Sequence, residues 1–138
     1  MYMPQIIEET HKINSHTDNK YEFAFILDDV VNAKNDRTIM KALTIGRNAR
    51  QTMLISAQAL TMFNATGRNN INFVFLMKLN SDMAIEAVVR SYLMSYFPKE
   101  YRIRDMVQEY KKLTKDHHFF FINNLTDEIC LTKINLEE

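Results

Sequence analysis

Three short apolar segments, each followed by polar residues, constrain the fold of this chain more than any other feature. They cover residues 22–28, 51–56 and 71–77, and their length and composition are typical of buried strands. Segments with helical periodicity lie between them. Apolar strands that alternate with amphipathic helices predict an α/β fold, in which a parallel sheet is covered on both faces.

The rest of the chain completes an order of α-β-α-β-α-β-α-α-β-β. Helices are predicted at residues 4–18, 35–43, 58–65, 81–97 and 101–114. Ser81 is expected to cap the fourth of these helices and Pro98 to end it, whereas Gly67 is expected in a turn. The closing strands, 118–122 and 128–132, predict a C-terminal β-hairpin.

Composition limits the function classes. The 138 residues predict a single domain, and the 17 basic and 17 acidic residues balance, which argues against a protein that coats nucleic acid. No signal peptide or membrane-spanning segment is expected. The single cysteine excludes an intrachain disulfide, and two glycines are too few for a Gly-rich phosphate loop.

Two acidic residues, Asp28 and Asp29, follow the first apolar strand directly. In parallel sheets, ligands bind beyond the carboxyl ends of the strands, so these carboxylates lie where a site is expected. One interpretation is a Walker B element, in which Asp28 holds the water shell of Mg²⁺ and Asp29 polarises the attacking water. The alternative is an acid pair that caps the following helix.

The second strand also ends in polar side chains, Ser56 and Gln58. A neutral polar group beside a Walker B acid can hydrogen-bond a γ-phosphate and the attacking water without adding charge. Gln58 follows Asp29 by 29 residues, which leaves room for one helix, one turn and one strand, and so places both strand ends side by side. The alternative is that Ser56 caps a helix and Gln58 is simply exposed.

Two turns carry arginines that could neutralise transferred phosphoryl charge, Arg47 before the second strand and Arg68 before the third. For each arginine taken alone, a solvated basic turn is the simpler interpretation. Further cations lie among residues 99–115, where they could contact DNA phosphates or, more simply, form a solvated helix face.

Together these motifs resemble the DNA-packaging ATPases of poxviruses and other large nucleocytoplasmic DNA viruses, which belong to the FtsK/HerA group of P-loop motor ATPases. The motifs are Ile-Leu-Asp-Asp, Gly-Arg-Asn before a strand, Ile-Ser-Ala-Gln, and Arg-x-Asn before Phe-Val-Phe-Leu. Their order and spacing carry the resemblance over residues 22–80, and it extends to about residue 133. Asn48 stands where the family often has histidine after Gly-Arg.

The resemblance implies a function and a set of site residues. Asp28 would be the magnesium acid, Asp29 the catalytic acid, Gln58 the sensor, and Arg47 and Arg68 the motif arginines. It implies ATP and Mg²⁺ as cofactors, double-stranded DNA and viral capsid or assembly proteins as partners, and a homo-oligomeric ring. It also implies a location in the host cytoplasm, at virus factories, or in the virion.

One departure from the family concerns the phosphate loop, because no Gly-x-x-x-x-Gly-Lys-Ser/Thr occurs in the 138 residues. The expectation is therefore the C-terminal portion of a packaging ATPase domain, inactive alone. Its three-layer, P-loop NTPase-like (ASCE/RecA-like) sheet would be incomplete, interrupted between the second and third strands where the family places the phosphate-loop strand. The alternatives are a non-catalytic α/β module that binds a packaging or capsid partner, and a helicase core fragment.

Overall fold

The elements follow the predicted order closely. The structure is a computed structural model and describes residues 3–18, 20–30, 37–45, 50–60, 63 and 65–135. The helices are α1 (Met3–His16), α2 (Arg37–Ile45), α3 (Ala65–Asn69), α4 (Asp82–Val88, continued by a π-helical segment, Val89–Leu93) and α5 (Ile103–Leu113). The strands are β1 (Phe23–Val30), β2 (Gln51–Ala57), β3 (Phe73–Leu76), β4 (His118–Asn123) and β5 (Glu128–Lys133). The chain is therefore a mixed α/β protein, as predicted.

The chain divides into two compact units, Met1–Asn70 and Ile71–Glu138. The first contains a parallel pair of strands, β1 and β2, and the second contains an antiparallel sheet in the order β3-β4-β5. This division does not test the expectation of a single domain over residues 1–138, which stays a prediction.

In the first unit, the two parallel strands run in register from Phe23 opposite Gln51 to Leu27 opposite Ile55. Their side chains alternate between a half-buried face and an exposed face, as expected for strands covered on one side only. The half-buried face contributes Leu27 and Ile55 to a small core built around Ile39 and Phe63. This packing holds the first turn of α2 against the half-buried face of both strands.

Helix α1 is attached to the first strand by a buried asparagine. The Asn14 side chain donates from Nδ2 to the Tyr21 carbonyl over 2.8 Å and accepts at Oδ1 from the Tyr21 N–H over 3.2 Å. It thereby satisfies both backbone groups of a residue that precedes β1. One turn earlier in the helix, Thr10 Oγ1 accepts a hydrogen bond from Gln51 Nε2 over 3.0 Å, which connects α1 to the start of β2.

In the second unit, the predicted C-terminal hairpin is confirmed. Strands β4 and β5 pair antiparallel from His118 opposite Lys133 to Asn123 opposite Glu128. The core beneath the sheet centres on Phe120, which is fully buried and stacks on Tyr110 of α5 with ring centroids 5.6 Å apart. The Tyr110 hydroxyl donates to the Met77 carbonyl over 2.6 Å, which connects α5 to the residue after β3.

Strand β3 pairs antiparallel with β4, a pairing that the sequence interpretation did not include. It lies in a different sheet from β1 and β2, and no ladder joins β2 to β3 in the described part of the chain. The expected interruption of one sheet between the second and third strands stays a prediction. A parallel direction of β3 relative to the first two strands stays a prediction.

The helix predicted at residues 58–65 falls in part on residues 61, 62 and 64, which lie outside the described residues. The helix α3, Ala65–Asn69, follows, and it contains Gly67, which was expected to mark a turn. Gly67 is buried, so its missing side chain serves close packing rather than a change of chain direction. Gln58 stands at a bend directly after β2.

Ser81 caps α4 as predicted, since its hydroxyl accepts from the Ala84 N–H. After α4, the π-helical segment adds a residue to one turn and moves the buried stripe along the chain. Leu93 and Phe97 are buried, whereas Tyr96 is more exposed. Across the described residues, no helix combines the length and apolar character needed to span a bilayer.

Candidate functional site

The structure brings the predicted acids and the predicted sensor together at one edge of the parallel pair. Asp28 and Asp29 lie near the carboxyl end of β1, and Gln58 directly follows β2. Because the strands are parallel and in register, their ends lie side by side. The Gln58 amide donates from Nε2 to Oδ1 of Asp29 over 2.8 Å. The predicted proximity of Asp29 and Gln58 is therefore observed, and the roles assigned to them stay predictions.

A second contact across the strands involves Ser56. Its hydroxyl donates to Oδ1 of Asp28 and accepts from the backbone N–H of Asp29 over 2.8 Å. The same N–H also lies 3.0 Å from Oδ1 of Asp28. The alternative interpretation of Ser56 as a helix cap is not supported, since it lies within β2 and contacts the two acids.

The backbone at the acids departs from regular strand geometry. The register shifts between Leu27 and Val30, so that Asp28 and Asp29 together lie opposite Ser56 alone, which is a β-bulge. Asp29 has φ of +50°, in the left-handed region that few residues other than glycine and Asp or Asn adopt readily. A bulge at this point turns the two carboxylates away from the strand alternation, as often occurs beside active sites.

All four side chains of this edge are exposed, so the carboxylates are accessible to a ligand. Exposed carboxylate oxygens are donors that suit Mg²⁺, which usually keeps several water ligands and shares its coordination with nucleotide phosphates. No group of three or more His, Cys, Asp or Glu residues able to hold a metal occurs among the described residues. The exposed carboxylates of Asp28 and Asp29 are of the type that suits an ion sharing its coordination with water and a nucleotide.

Arg68 contacts a carbonyl away from this cluster. Arg68 lies on α3 and donates from Nη1 to the Phe63 carbonyl over 2.7 Å, with its side chain half-buried. This contact attaches α3 to the preceding segment, which is a structural role that accounts for the residue without a nucleotide. Arg47 lies outside the described residues.

The basic segment at residues 99–115 corresponds to α5 and its flanks. Lys111 pairs with Asp82 over 2.5 Å, and Lys112 pairs with Glu109 over 3.0 Å. These partly exposed pairs are what a solvated helix face is expected to show, because ion pairs on helix surfaces are common and weak. Arg104 and Lys115 are exposed and form no ion pair within the described residues.

Sequence reasoning missed the position of Ser56 relative to the acids. A register in which Leu27 pairs with Ile55 brings Ser56, the next residue of β2, opposite the acids. A prediction of this register would therefore have predicted the contact. The residue types at the bulge do not distinguish it from a regular strand end.

Comparison with known proteins gives a match in structure only. No protein-family model matches the sequence, and no curated protein is significantly similar to it. Solved structures of the genome packaging NTPase B204 from Sulfolobus turreted icosahedral virus 2 are similar to the chain. The complex with AMP matches with a TM-score of 0.67 and 14% identity, and the match covers 98% of this chain and 64% of that chain.

Two further structures of B204 give the same result. The complex with AMPPCP matches with a TM-score of 0.68 and 13% identity over 98% of this chain and 66% of that one. The complex with ATP-gammaS matches with a TM-score of 0.66 and 14% identity over 96% of this chain and 62% of that one. The chain thus spans about two thirds of the length of B204.

At this level of identity the match concerns the fold. The chain therefore has a fold similar to that of a viral genome packaging NTPase over nearly its whole length.

Proposed function

We propose that this chain is part of a viral genome-packaging ATPase that couples ATP hydrolysis to translocation of double-stranded DNA. The observation that carries the proposal is the hydrogen bond between Gln58 and Asp29, which joins the ends of two parallel strands 29 residues apart in sequence. The fold similarity to B204, which was solved with AMP, AMPPCP and ATP-gammaS, supports it. The sheet belongs, in this proposal, to a three-layer P-loop arrangement of the FtsK/HerA type.

In this proposal the acids divide the chemistry between them. Asp28 would hold Mg²⁺ through water, and the ion when bound would neutralise charge on the β- and γ-phosphates. Asp29 would orient the attacking water and accept a proton from it as the water oxygen bonds to the γ-phosphorus. The bond from that phosphorus to the bridging oxygen breaks, which releases ADP and phosphate. Gln58, already in contact with Asp29, would position the same water.

In this proposal the phosphate-binding element is supplied by other polypeptide, because no Walker A motif occurs within the 138 residues. Without its backbone amides and lysine, the two acids present negative charge to a negatively charged nucleotide. We therefore expect weak nucleotide binding and no hydrolysis by the 138 residues alone.

The remaining parts of the proposal concern partners. A packaging motor would act as a homo-oligomeric ring on double-stranded DNA, together with capsid or assembly proteins, in the host cytoplasm or the virion. Arg47 or Arg68 would act on the transferred phosphoryl group as part of such a ring. Among exposed cations, Arg104 and Lys115 are available for phosphate contacts, because they have no ion-pair partner in the described structure.

The proposal is tested by steady-state ATP hydrolysis, with and without duplex DNA. The 138-residue chain should hydrolyse ATP no faster than buffer. In a chain reconstituted with a phosphate-loop strand and helix ahead of residue 1, Asp29→Asn should lower kcat about 10²- to 10⁴-fold, the scale of a lost general base. Nucleotide affinity should change little, because the lost interaction is made mainly in the transition state.

Asp127→Asn is the matched control, because Asp127 is also an exposed aspartate with a left-handed φ, of 56°. It should leave turnover unchanged. Robust turnover by the 138-residue chain, abolished by Asp29→Asn, would contradict the expectation that the phosphate loop lies elsewhere. Equal, measurable turnover by the reconstituted chain and its Asp29→Asn variant would contradict the proposed role of Asp29. No turnover by the reconstituted chain would favour a non-catalytic module.

A further inference from the structure

The hydroxyl of Ser56 makes two contacts at once, one with each acid. It donates to the Asp28 carboxylate and accepts from the Asp29 N–H. A hydroxyl carries one donor hydrogen and two acceptor lone pairs, so a serine or threonine can make this pair of contacts. Alanine can make neither, and a thiol makes both only weakly.

The position of Ser56 in the register explains why both acids depend on it. It is the single residue of β2 that lies opposite the two-residue bulge at Asp28 and Asp29. A bulge leaves its extra residue without the regular ladder partner. Here the Asp29 N–H is satisfied by two side-chain oxygens, Ser56 Oγ and Asp28 Oδ1. The hydroxyl therefore replaces a ladder partner where the ladder is interrupted.

These contacts also set the directions of the two carboxylates. Oδ1 of Asp28 accepts from the Ser56 hydroxyl and from the Asp29 N–H, so its rotation about the side chain is restrained and its second oxygen is the one left for a ligand. The left-handed backbone of Asp29 is held by the same N–H contact, which in turn places its carboxylate beside Gln58.

We infer that Ser56 is a positioning residue, which orients the metal acid Asp28 and the catalytic acid Asp29 through one hydroxyl. The inference rests on the proposed function for the chemistry of the acids, but its geometric part does not. Because Ser56 is exposed, its replacement removes no core packing, and the fold should survive. Threonine should substitute for it, since the hydroxyl is retained and the added methyl group points to an exposed face.

The geometric part is tested on the 138-residue chain by amide hydrogen exchange and by the amide proton chemical shift of Asp29. Ser56→Ala should accelerate exchange of the Asp29 amide about tenfold and move its proton resonance upfield, because a hydrogen bond to a charged network is lost. Ser56→Thr should preserve both values. Thr52→Ala is the matched control, since it removes an exposed hydroxyl from the same face of the same strand.

The chemical part is tested in the reconstituted ATPase. Ser56→Ala should lower kcat about tenfold to a hundredfold with little change in the KM for ATP, and Ser56→Thr should restore most of the rate. Wild-type exchange and shift at Asp29 in Ser56→Ala would overturn the positioning role. A normal kcat in Ser56→Ala, with Asp29→Asn inactive, would also overturn it while leaving the proposed function intact. If Asp29→Asn is itself fully active, the proposed function fails, and the exchange data alone decide whether Ser56 orders the two acids.

Discussion

The side-chain amide of Gln58 lies 2.8 Å from the carboxylate of Asp29, so residues at the ends of two parallel strands are in direct contact. An amide that donates to a carboxylate gains from the charge of its acceptor, and such hydrogen bonds are stronger than those between neutral groups. The contact also places the uncharged carbonyl end of Gln58 next to the acid, where it can accept from a bound water.

This contact predicts the effect of charge at position 58. Gln58→Glu replaces the donor with a second carboxylate, which repels Asp29 and draws protons or cations to the site. In the reconstituted chain, kcat should fall at least about tenfold, because the added carboxylate would repel the negative charge on the γ-phosphate. Turnover assays measure this directly. Gln108→Glu, an exposed change on α5, is the control and should have no effect; an equal loss in both variants would contradict a local role for Gln58.

The buried phenol of Tyr110 predicts a pH dependence of stability. Burial raises the pKa of Tyr110 above its ordinary value of 10.0, because the charged phenolate loses its hydration. The unfolded chain therefore releases the proton at lower pH than the folded chain. The stability that this group contributes is fully present below pH 10 and is lost as the pH rises above that value.

Urea unfolding at pH 8 to 11 tests this dependence. Tyr110→Phe should lose about 0.5–1.5 kcal/mol near pH 8, because the hydrogen bond to the Met77 carbonyl is removed. It should also decline less steeply than the wild type above pH 10. Tyr101→Phe, at a more exposed tyrosine, should keep the wild-type slope. A wild-type slope in Tyr110→Phe would show that this phenol does not control the alkaline loss.

The aromatic core of the second unit predicts a large difference between two phenylalanines of the same sheet. Phe120 is fully buried and contacts the rings of Tyr96, Phe97 and Tyr110. Phe120→Ala should lower the free energy of unfolding by about 3–5 kcal/mol, since it removes buried surface and leaves a cavity. Phe73→Ala, at a side chain that is 49% exposed, should cost much less. Chemical denaturation of both variants gives the comparison, and similar losses would contradict this description of the core.

The buried Asn14 predicts a loss of stability from a nearly isosteric change. Asn14→Asp removes the amide donor and places a carboxylate against the Tyr21 carbonyl, which accepts from Nδ2 in the wild type. The expected cost is about 1–3 kcal/mol or more, because a buried acceptor is left unsatisfied beside a charge. Asn80→Asp, at an exposed asparagine, should be close to neutral. Thermal unfolding of the two variants separates the effects, and a neutral Asn14→Asp would show that α1 is not held by this residue.

The sequence predicts the strands and the final hairpin well, because short apolar segments and turn residues act locally. It also predicts that Asp29 and Gln58 lie together, since parallel neighbours end at the same edge. It fails where nonlocal packing decides the structure. Gly67 lies buried within a helix rather than in the expected turn, and the π-helical segment after α4 changes which side chains of that helix are buried. The antiparallel partner of β3 depends on contacts some 45 residues away along the chain.

The left-handed backbone at Asp29 restricts which acid the site can use. The chemistry proposed for this position would accept a glutamate as readily as an aspartate, since both present a carboxylate. The two residues differ in their backbone preferences. A left-handed conformation costs roughly 1–2 kcal/mol for most residues, whereas aspartate and asparagine adopt it more easily through local hydrogen bonds. The geometry of one bulge, rather than the reaction, thus narrows the choice between two chemically equivalent side chains, and relatives that carry glutamate here would need a different strand ending.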